Sequence, residues 1–263
     1  RRILSKDTKI NLVEIVESSP ELNDDLLSRL GEHKELGQYL ADTFKEAKEF
    51  GSILNLDCTL EQLQKLENSL FEIDNNVKYG SMLDQIESQQ LFDLIEPLLK
   101  QAKLLVQKYD VVVTNPPYMP PSPKQKQYLQ KNYPDSKSDL FAVFIEKCHD
   151  LTKKNAYQAM ITMHSWMFLS SYEKLRTKLL NTNTIINMAH LGARAFDEIG
   201  GEVVQTTTFI FHNNSIKDYL TKFKRLVDYN TQDLKEEEYL KDNNLYITSS
   251  NNFKKIPGKP LAY

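Results

Sequence analysis

Tyr109-Asp110-Val111-Val112-Val113-Thr114-Asn115-Pro116-Pro117-Tyr118 runs from a β-branched strand straight into a proline-stiffened turn. Val111, Val112 and Val113 are consecutive, with no polar alternation, which predicts a central parallel strand covered on both faces. In open α/β sheets, ligands bind beyond the carboxyl ends of such strands, so the turn is expected at the binding edge. Pro116 and Pro117 fix φ and carry no N–H, which stiffens the turn and leaves its carbonyls untied. Two acceptors then remain to be aimed at one place, the Asn115 side-chain oxygen and the Pro116 carbonyl. Tyr118 adds a flat face on which a planar group can stack. The plain alternative is a rigid exit turn with no chemistry.

Two convergent acceptors answer a specific chemical need. The lone pair of an exocyclic amino group is delocalised into its π-system, so the nitrogen is a weak nucleophile. Holding both N–H bonds lets it pyramidalise towards an incoming methyl, and that contact strengthens in the transition state. No strong base is required, because the proton can leave once the amine is cationic. On this reading Asn115, Pro116, Pro117 and Tyr118 are the candidate catalytic residues.

Around this junction the chain divides into recognisable stretches. Ile10 to Val16 reads as a short buried strand, ended by Glu17-Ser18-Ser19-Pro20. Residues from about 21 to 107 are helical in pattern, with the stripe Leu83, Ile86, Leu91, Leu94, Ile95, Leu98, Leu99, Ala102, Leu105 and Val106. Pro97 inside it predicts a kink or a fresh helix start. After the central strand a βα rhythm resumes. Ser138-Asp139 supplies the N-cap and first turn of a helix to about Lys153, Ala156 to Thr162 is a strand, and Ser170 to Leu180 a helix. Thr184 to His190 is a strand and Val203 to His212 an antiparallel one. Residues from 217 give a further strand and then a helix over Gln232 to Lys241.

Asn115-Pro116-Pro117-Tyr118 resembles the signature of amino-group methyltransferases that use S-adenosylmethionine. Asparagine in first place is more like the N6-adenine DNA enzymes, although some RNA-guanine and protein-glutamine methyltransferases share it. Longer blocks narrow the likeness: Asp139 to Glu146, Met163 to Ser171, His190 to Phe196, Gly200 to Thr208, and the exit Phe253 to Tyr263. They resemble the PglX family of adenine-specific DNA methyltransferases from BREX phage-defence systems, over most of the chain.

The resemblance implies a partial Rossmann-like α/β methyltransferase core with a largely helical insertion. Its first strand falls in 1–19, the insertion in 20–108, the catalytic half in 109–215, and an extension towards a target-recognition domain in 216–263. It implies double-stranded DNA as partner, with other phage-defence proteins beside it, and a base flipped out of the duplex. Phe196 would then pack on that base opposite Tyr118; without the resemblance it reads as core. Glu17 and Asn115 become candidate cofactor contacts, Glu17 being otherwise a solvent-facing strand end. Trp166 and Phe168 wall a pocket or fill the core, and His164 and His190 read as structural. Asp139 either approaches the motif loop or only caps its helix.

Such enzymes bind the cofactor's methionine end at a Gly-rich turn after a strand, and no such turn occurs among the 8 glycines. The main cofactor turn is thus expected before Arg1, leaving this chain inactive alone and a weak binder of S-adenosylmethionine. A non-catalytic partner-binding module and an RNA or protein-glutamine methyltransferase stay open as alternatives.

Composition sets outer bounds. The 263 residues suit one large domain or a domain with an appendage. With 40% hydrophobic and 26% charged residues the chain reads as a soluble, cytoplasmic protein, without a membrane-length apolar run. Net charge −3 argues against binding DNA by bulk electrostatics alone. Lys124, Lys126, Lys131 and Lys137 nevertheless cluster after the motif, as an exposed face or, at Lys124 and Lys126, as DNA-backbone contacts. Cys58 and Cys148 lack metal-ligand spacing, and the 5 histidines form no ligand pattern, so no metal is expected.

Overall fold

Asn23 accepts from the Leu26 N–H and so starts α1 (Asp24–Ser28); α2 (Lys34–Thr43) and the short α3 (Ala47–Phe50) follow. Leu63, Leu66 and Leu70, at steps of three and four, give α4 (Leu60–Val77) its buried stripe. It packs on α5 (Met82–Val106), where Leu91, Ile95, Leu98, Leu99 and Ala102 are buried. The computed structural model describes residues 10–77, 81–196, 204–241 and 243–263. The chain splits into two units, Arg1–Gln107, to which these helices belong, and Lys108–Tyr263.

Two expectations for the first unit need correction, and a third is narrowed. Ile10 to Val16 forms no strand: no neighbour pairs with it among the described residues, and Ile10 and Leu12 are exposed. Instead the buried Gln101 side chain imitates a peptide group. It accepts from the Val16 N–H at 3.0 Å and donates to the Val16 carbonyl at 2.9 Å. Leu83 and Ile86 are exposed, because the first turns of α5 are held by polar contacts of Arg29 with Asp84 and Glu87. Finally, α5 runs unbroken through Pro97, with no fresh helix start there.

The second unit is built on a mixed six-stranded sheet of order β1-β2-β4-β3-β5-β6. Its strands are β1 (Tyr109–Thr114), β2 (Thr152–Met163), β3 (Thr184–Gly192), β4 (Thr206–His212), β5 (Leu220–Arg225) and β6 (Leu245–Ser249). β1 is parallel to β2 and β3 to β5, while β4 runs antiparallel between β2 and β3, as its sequence predicts. β5 and β6 are also antiparallel. The ends of β1, β2, β3 and β5 therefore lie on one edge of the sheet, together with the start of β4.

Helices connect the strands. α6 (Pro123–Asn132) carries a full capping box, Ser122 with Gln125, and Pro123 in its first turn. α7 (Leu140–Leu151) starts at the Asp139 cap but stops before the expected Lys153, because β2 begins at Thr152. α8 (Glu173–Thr182) follows a 3-10 turn over Ser170–Tyr172. α9 (Gln232–Leu240) precedes β6, and α10 (Ser250–Lys254) follows it; neither β6 nor α10 was legible in the pattern. The core gathers Phe141 and Ile145 of α7, Leu175 and Leu179 of α8, and Trp166 edge-on against Phe209 and Phe211 of β4.

β1 is not a central strand of this sheet. It lies at the edge, with Val111 57% and Val113 71% exposed, and only Val112 of the three valines packs on the core. The β-branched run encodes the strand, but the second neighbour it was read to imply is absent among the described residues.

Candidate functional site

The motif turn leaves β1 where Thr114 pairs with Met160 of β2. Asn115 is exposed, Pro116 buried and Pro117 exposed. Among the described residues neither the Asn115 side chain nor the Pro116 carbonyl is engaged in a hydrogen bond. Pro116 and Pro117 carry no N–H to close on those oxygens, and the Met119 N–H is taken by the Asp139 carboxylate. Two strong acceptors thus stand uncommitted at the carboxyl end of a strand.

Tyr118 is more enclosed than a free stacking platform. Its ring meets Phe141 edge-on, with centroids 6.4 Å apart, and packs against the core cluster. The hydroxyl is buried without a hydrogen-bond partner, and burial pushes its pKa up to about 12. At neutral pH the hydroxyl therefore stays protonated and the ring uncharged.

Asp139 does both of the things its sequence position allowed. Its carboxylate accepts from the Phe141 N–H at 3.3 Å, capping α7, and also from the backbone of Met119 and Leu140. The Leu140 N–H in turn donates to the Met119 carbonyl at 3.1 Å. The motif turn is therefore stapled to the first turn of α7. Burial pushes the Asp139 carboxyl above its ordinary pKa, against the three backbone N–H groups that favour its ionised form.

The other sequence candidates fall at several places. Lys124 and Lys126 are exposed in the first turn of α6, which carries no acidic residue. Phe196 is half-buried in the bend beyond β3, on the same sheet edge as the motif. Tyr118 and Phe196 make no ring contact with each other among the described residues. Gly200 and Gly201, which open the block from Gly200 to Thr208, lie outside the described residues. Glu17 is exposed and belongs to the first unit. Trp166 is core, 1% exposed, with its indole N–H donating to Thr162 Oγ1 at 3.1 Å.

Two features escaped the sequence. His164 and His190 are bonded to each other, Nδ1 to Nε2, at 2.7 Å. Arg176 is fully buried and binds the carbonyls of Trp166, Leu169 and Gly258. No local pattern announces either, because both depend on segments brought together by the sheet.

The motif offers two uncommitted oxygens, which suit a pair of N–H donors, and among the described residues no Gly-rich turn follows a strand. The one described glycine that closes a strand in the left-handed region is Gly192, φ 69°. There Val227 Cγ1 lies 2.9 Å from where a Cβ would stand, so the space is already filled by protein. Among the described residues no group of His, Cys, Asp and Glu is placed to hold a metal ion, and no helix is long and apolar enough to cross a membrane.

Comparison with known proteins places this geometry in context. The family model described as Eco57I restriction-modification methylase matches residues 9–196. The adenine-specific methyltransferase PglX of Lacticaseibacillus casei (strain Zhang) is 38% identical over the whole of this chain and 22% of its own length. The adenine-specific methyltransferase BrxX of Escherichia coli O9:H4 (strain HS) is 37% identical over the whole chain and 24% of its own length. This chain thus spans about a quarter of these relatives. A chain from a solved type I R-M system aligns with 92% of this one and 65% of its own residues, at 14% identity and a TM-score of 0.48, a likeness too coarse to bear on the site.

Proposed function

The chain belongs to the Eco57I restriction-modification methylase family, and from that premise we propose that it carries the acceptor-amine half of a DNA methyltransferase. The substrate on this reading is the N6 amine of adenine in duplex DNA, and the setting is phage defence. S-adenosylmethionine would supply the electrophilic methyl, its methionine end held by residues outside this chain. The observation that carries the reading is the pair of uncommitted acceptors, Asn115 Oδ1 and the Pro116 carbonyl, at the carboxyl end of β1.

The residues divide the work in a simple way. Asn115 Oδ1 and the Pro116 carbonyl each take one N–H of the adenine amine, which draws the nitrogen out of plane and frees its lone pair. Both contacts shorten as positive charge develops on the nitrogen, so they favour the transition state over the ground state. Tyr118 and Phe196 hold the extrahelical base, while Lys124 and Lys126 meet the backbone. Tyr118 stays neutral through this, with its hydroxyl pKa pushed far above neutrality. The proton leaves to solvent after transfer. Asp139 keeps the acceptors in place through Met119 without touching the base.

The test is Asn115→Ala in the full-length protein. Loss of one transition-state acceptor costs on the order of 2.7–4 kcal/mol, so methyl transfer to adenine should fall more than about a hundredfold. Stability should stay within about 0.5 kcal/mol, because Asn115 is exposed and makes no internal hydrogen bond. Undiminished transfer by the variant would overturn the amine-holding role.

A further inference from the structure

The carboxyl edge holds a second cluster that the amine chemistry does not use. His164 Nδ1 and His190 Nε2 meet at 2.7 Å, and Phe168 closes over both, its centroid 5.6 Å from His164 and 5.7 Å from His190. His190 is buried at 9% exposure, while Phe168 stays 41% exposed. His164 follows the last residue of β2, and His190 lies near the end of β3.

Its distance from the motif follows from strand register. Thr114 pairs with Met160, so Asn115 stands level with Ile161, and His164 projects three residues further. At about 3.3 Å per residue and about 4.8 Å between strands, the two positions are on the order of 11 Å apart. That is roughly three nucleotide steps along one DNA strand at about 3.4 Å each. The cluster is thus outside the amine slot, and within reach of a nucleotide about three steps along the strand.

The proton count of the pair is informative. Two neutral imidazoles carry two protons on four nitrogens. One proton lies between the rings, so one outer nitrogen bears the second and the other is bare. Neither His164 Nε2 nor His190 Nδ1 makes a hydrogen bond among the described residues. One proton from solvent on the bare nitrogen leaves the inter-ring bond intact, now donated by an imidazolium. Each ring then turns an N–H outward, and the pair carries one positive charge. A further proton would set two N–H groups head to head and break the pair.

Without a ligand the pair is kept neutral. Burial pushes His190 down to about 4, helped by His164, by Arg225 at the end of β5 and by Lys235 of α9, and burial also lowers His164. Lys235 is fixed by the carbonyls of Leu191 and Leu226, and Arg225 is paired with Asp228, the acidic group on this side. The cations that resist protonation also create a positive potential that an incoming anion relieves.

On the reading of the chain as a DNA methyltransferase core, we infer that His164, His190 and Phe168 form a contact for a nucleotide flanking the target base. The nucleotide's phosphate meets the outward N–H groups, its base lies on Phe168, and the pair gains one proton as it docks. Affinity then falls as pH rises, by up to about tenfold per unit, because one proton is bound with the ligand.

The experiment uses the chain with 13C-labelled histidine and 15N-labelled asparagine. Histidine signals are assigned with His164→Gln and His190→Gln. Short single-stranded oligodeoxynucleotides containing one adenine, and inorganic phosphate in parallel, are titrated at pH 6 and pH 8. The expected result is movement of the His164 and His190 signals, a titration midpoint raised to above about pH 6, and tighter binding at pH 6 than at pH 8. His190→Gln should bind as the parent does at pH 8 and lose the gain at pH 6. Movement with phosphate as well as DNA supports the anion contact. Movement of the Asn115 amide with unmoved histidines overturns this inference and leaves the amine site standing. Silence at both places overturns both.

Discussion

Arg176→Met removes a guanidinium and leaves a side chain of comparable length. Arg176 is 1% exposed and donates through Nη1 to Trp166 at 2.8 Å and Leu169 at 2.6 Å, and through Nη2 to Gly258 at 2.7 Å. Among the described residues no carboxylate bonds to it, Glu173 favours its charge only at a distance, and burial lowers its pKa, although it stays charged. The variant leaves the Trp166 and Gly258 carbonyls without a partner, at about 1–3 kcal/mol each, while the Leu169 carbonyl keeps the Tyr172 N–H at 3.1 Å. Removing a buried, unneutralised cation offsets part of that loss. Leu169 is 53% exposed, so its carbonyl can turn to water. The net loss should be on the order of 3 kcal/mol, a large share of the roughly 5–15 kcal/mol that holds a domain together. Trp166 is the single tryptophan and bonds to Arg176 itself, so its fluorescence reports this unit directly. In urea, with a slope of about 1–3 kcal/mol per molar, the midpoint should drop by roughly 1–3 M at unchanged slope. A drop below about 0.3 M would refute the reasoning. It would mean that water reaches these carbonyls.

Tyr118→Phe should be neutral or raise stability by up to about 1 kcal/mol, since the lost hydroxyl is buried without a partner; a loss above about 1 kcal/mol in urea melts would show that a partner exists. Acid should weaken the fold early. His149, His164 and His190 are all depressed by burial, so their contribution is complete above about pH 6.5 and lost as pH falls towards about 4. A urea midpoint that does not change between pH 7 and pH 5 would contradict that sign. Calorimetry should detect little or no binding of S-adenosylmethionine by this chain, and tight stoichiometric binding would place the cofactor's main turn within it.

The parts of the fold legible in the sequence are those fixed by near neighbours. The passage from Val113 into Asn115-Pro116-Pro117-Tyr118, the Asp139 cap and the Gln232 helix each depend on a few consecutive residues. What stayed hidden depends on pairings across long stretches. Ile10 to Val16 looks like a strand, yet whether it becomes one is decided by a partner, and Gln101, 85 residues away from Val16, takes that place. The valines of β1 specify extended backbone equally well at an edge or a centre, so burial on both faces could not be read from them. The candidate site divides along the same line. Its acceptor turn is local and legible, whereas the His164–His190 bond spans 26 residues and needs the whole sheet to form.

The double bond between Met119 and the start of α7 makes the helix a lever on the acceptors. The Met119 N–H and carbonyl are both held by the first residues of α7, four positions from Asn115. Phe141, in that same turn, is wedged between Tyr118 and Tyr172, at 6.4 and 5.8 Å. A tilt of α7 too small to disturb the core would therefore reach the Asn115 oxygen, because only two stiff prolines and a tyrosine lie between. The alignment of the two acceptors is thereby entrusted to the seating of one aromatic ring in the core.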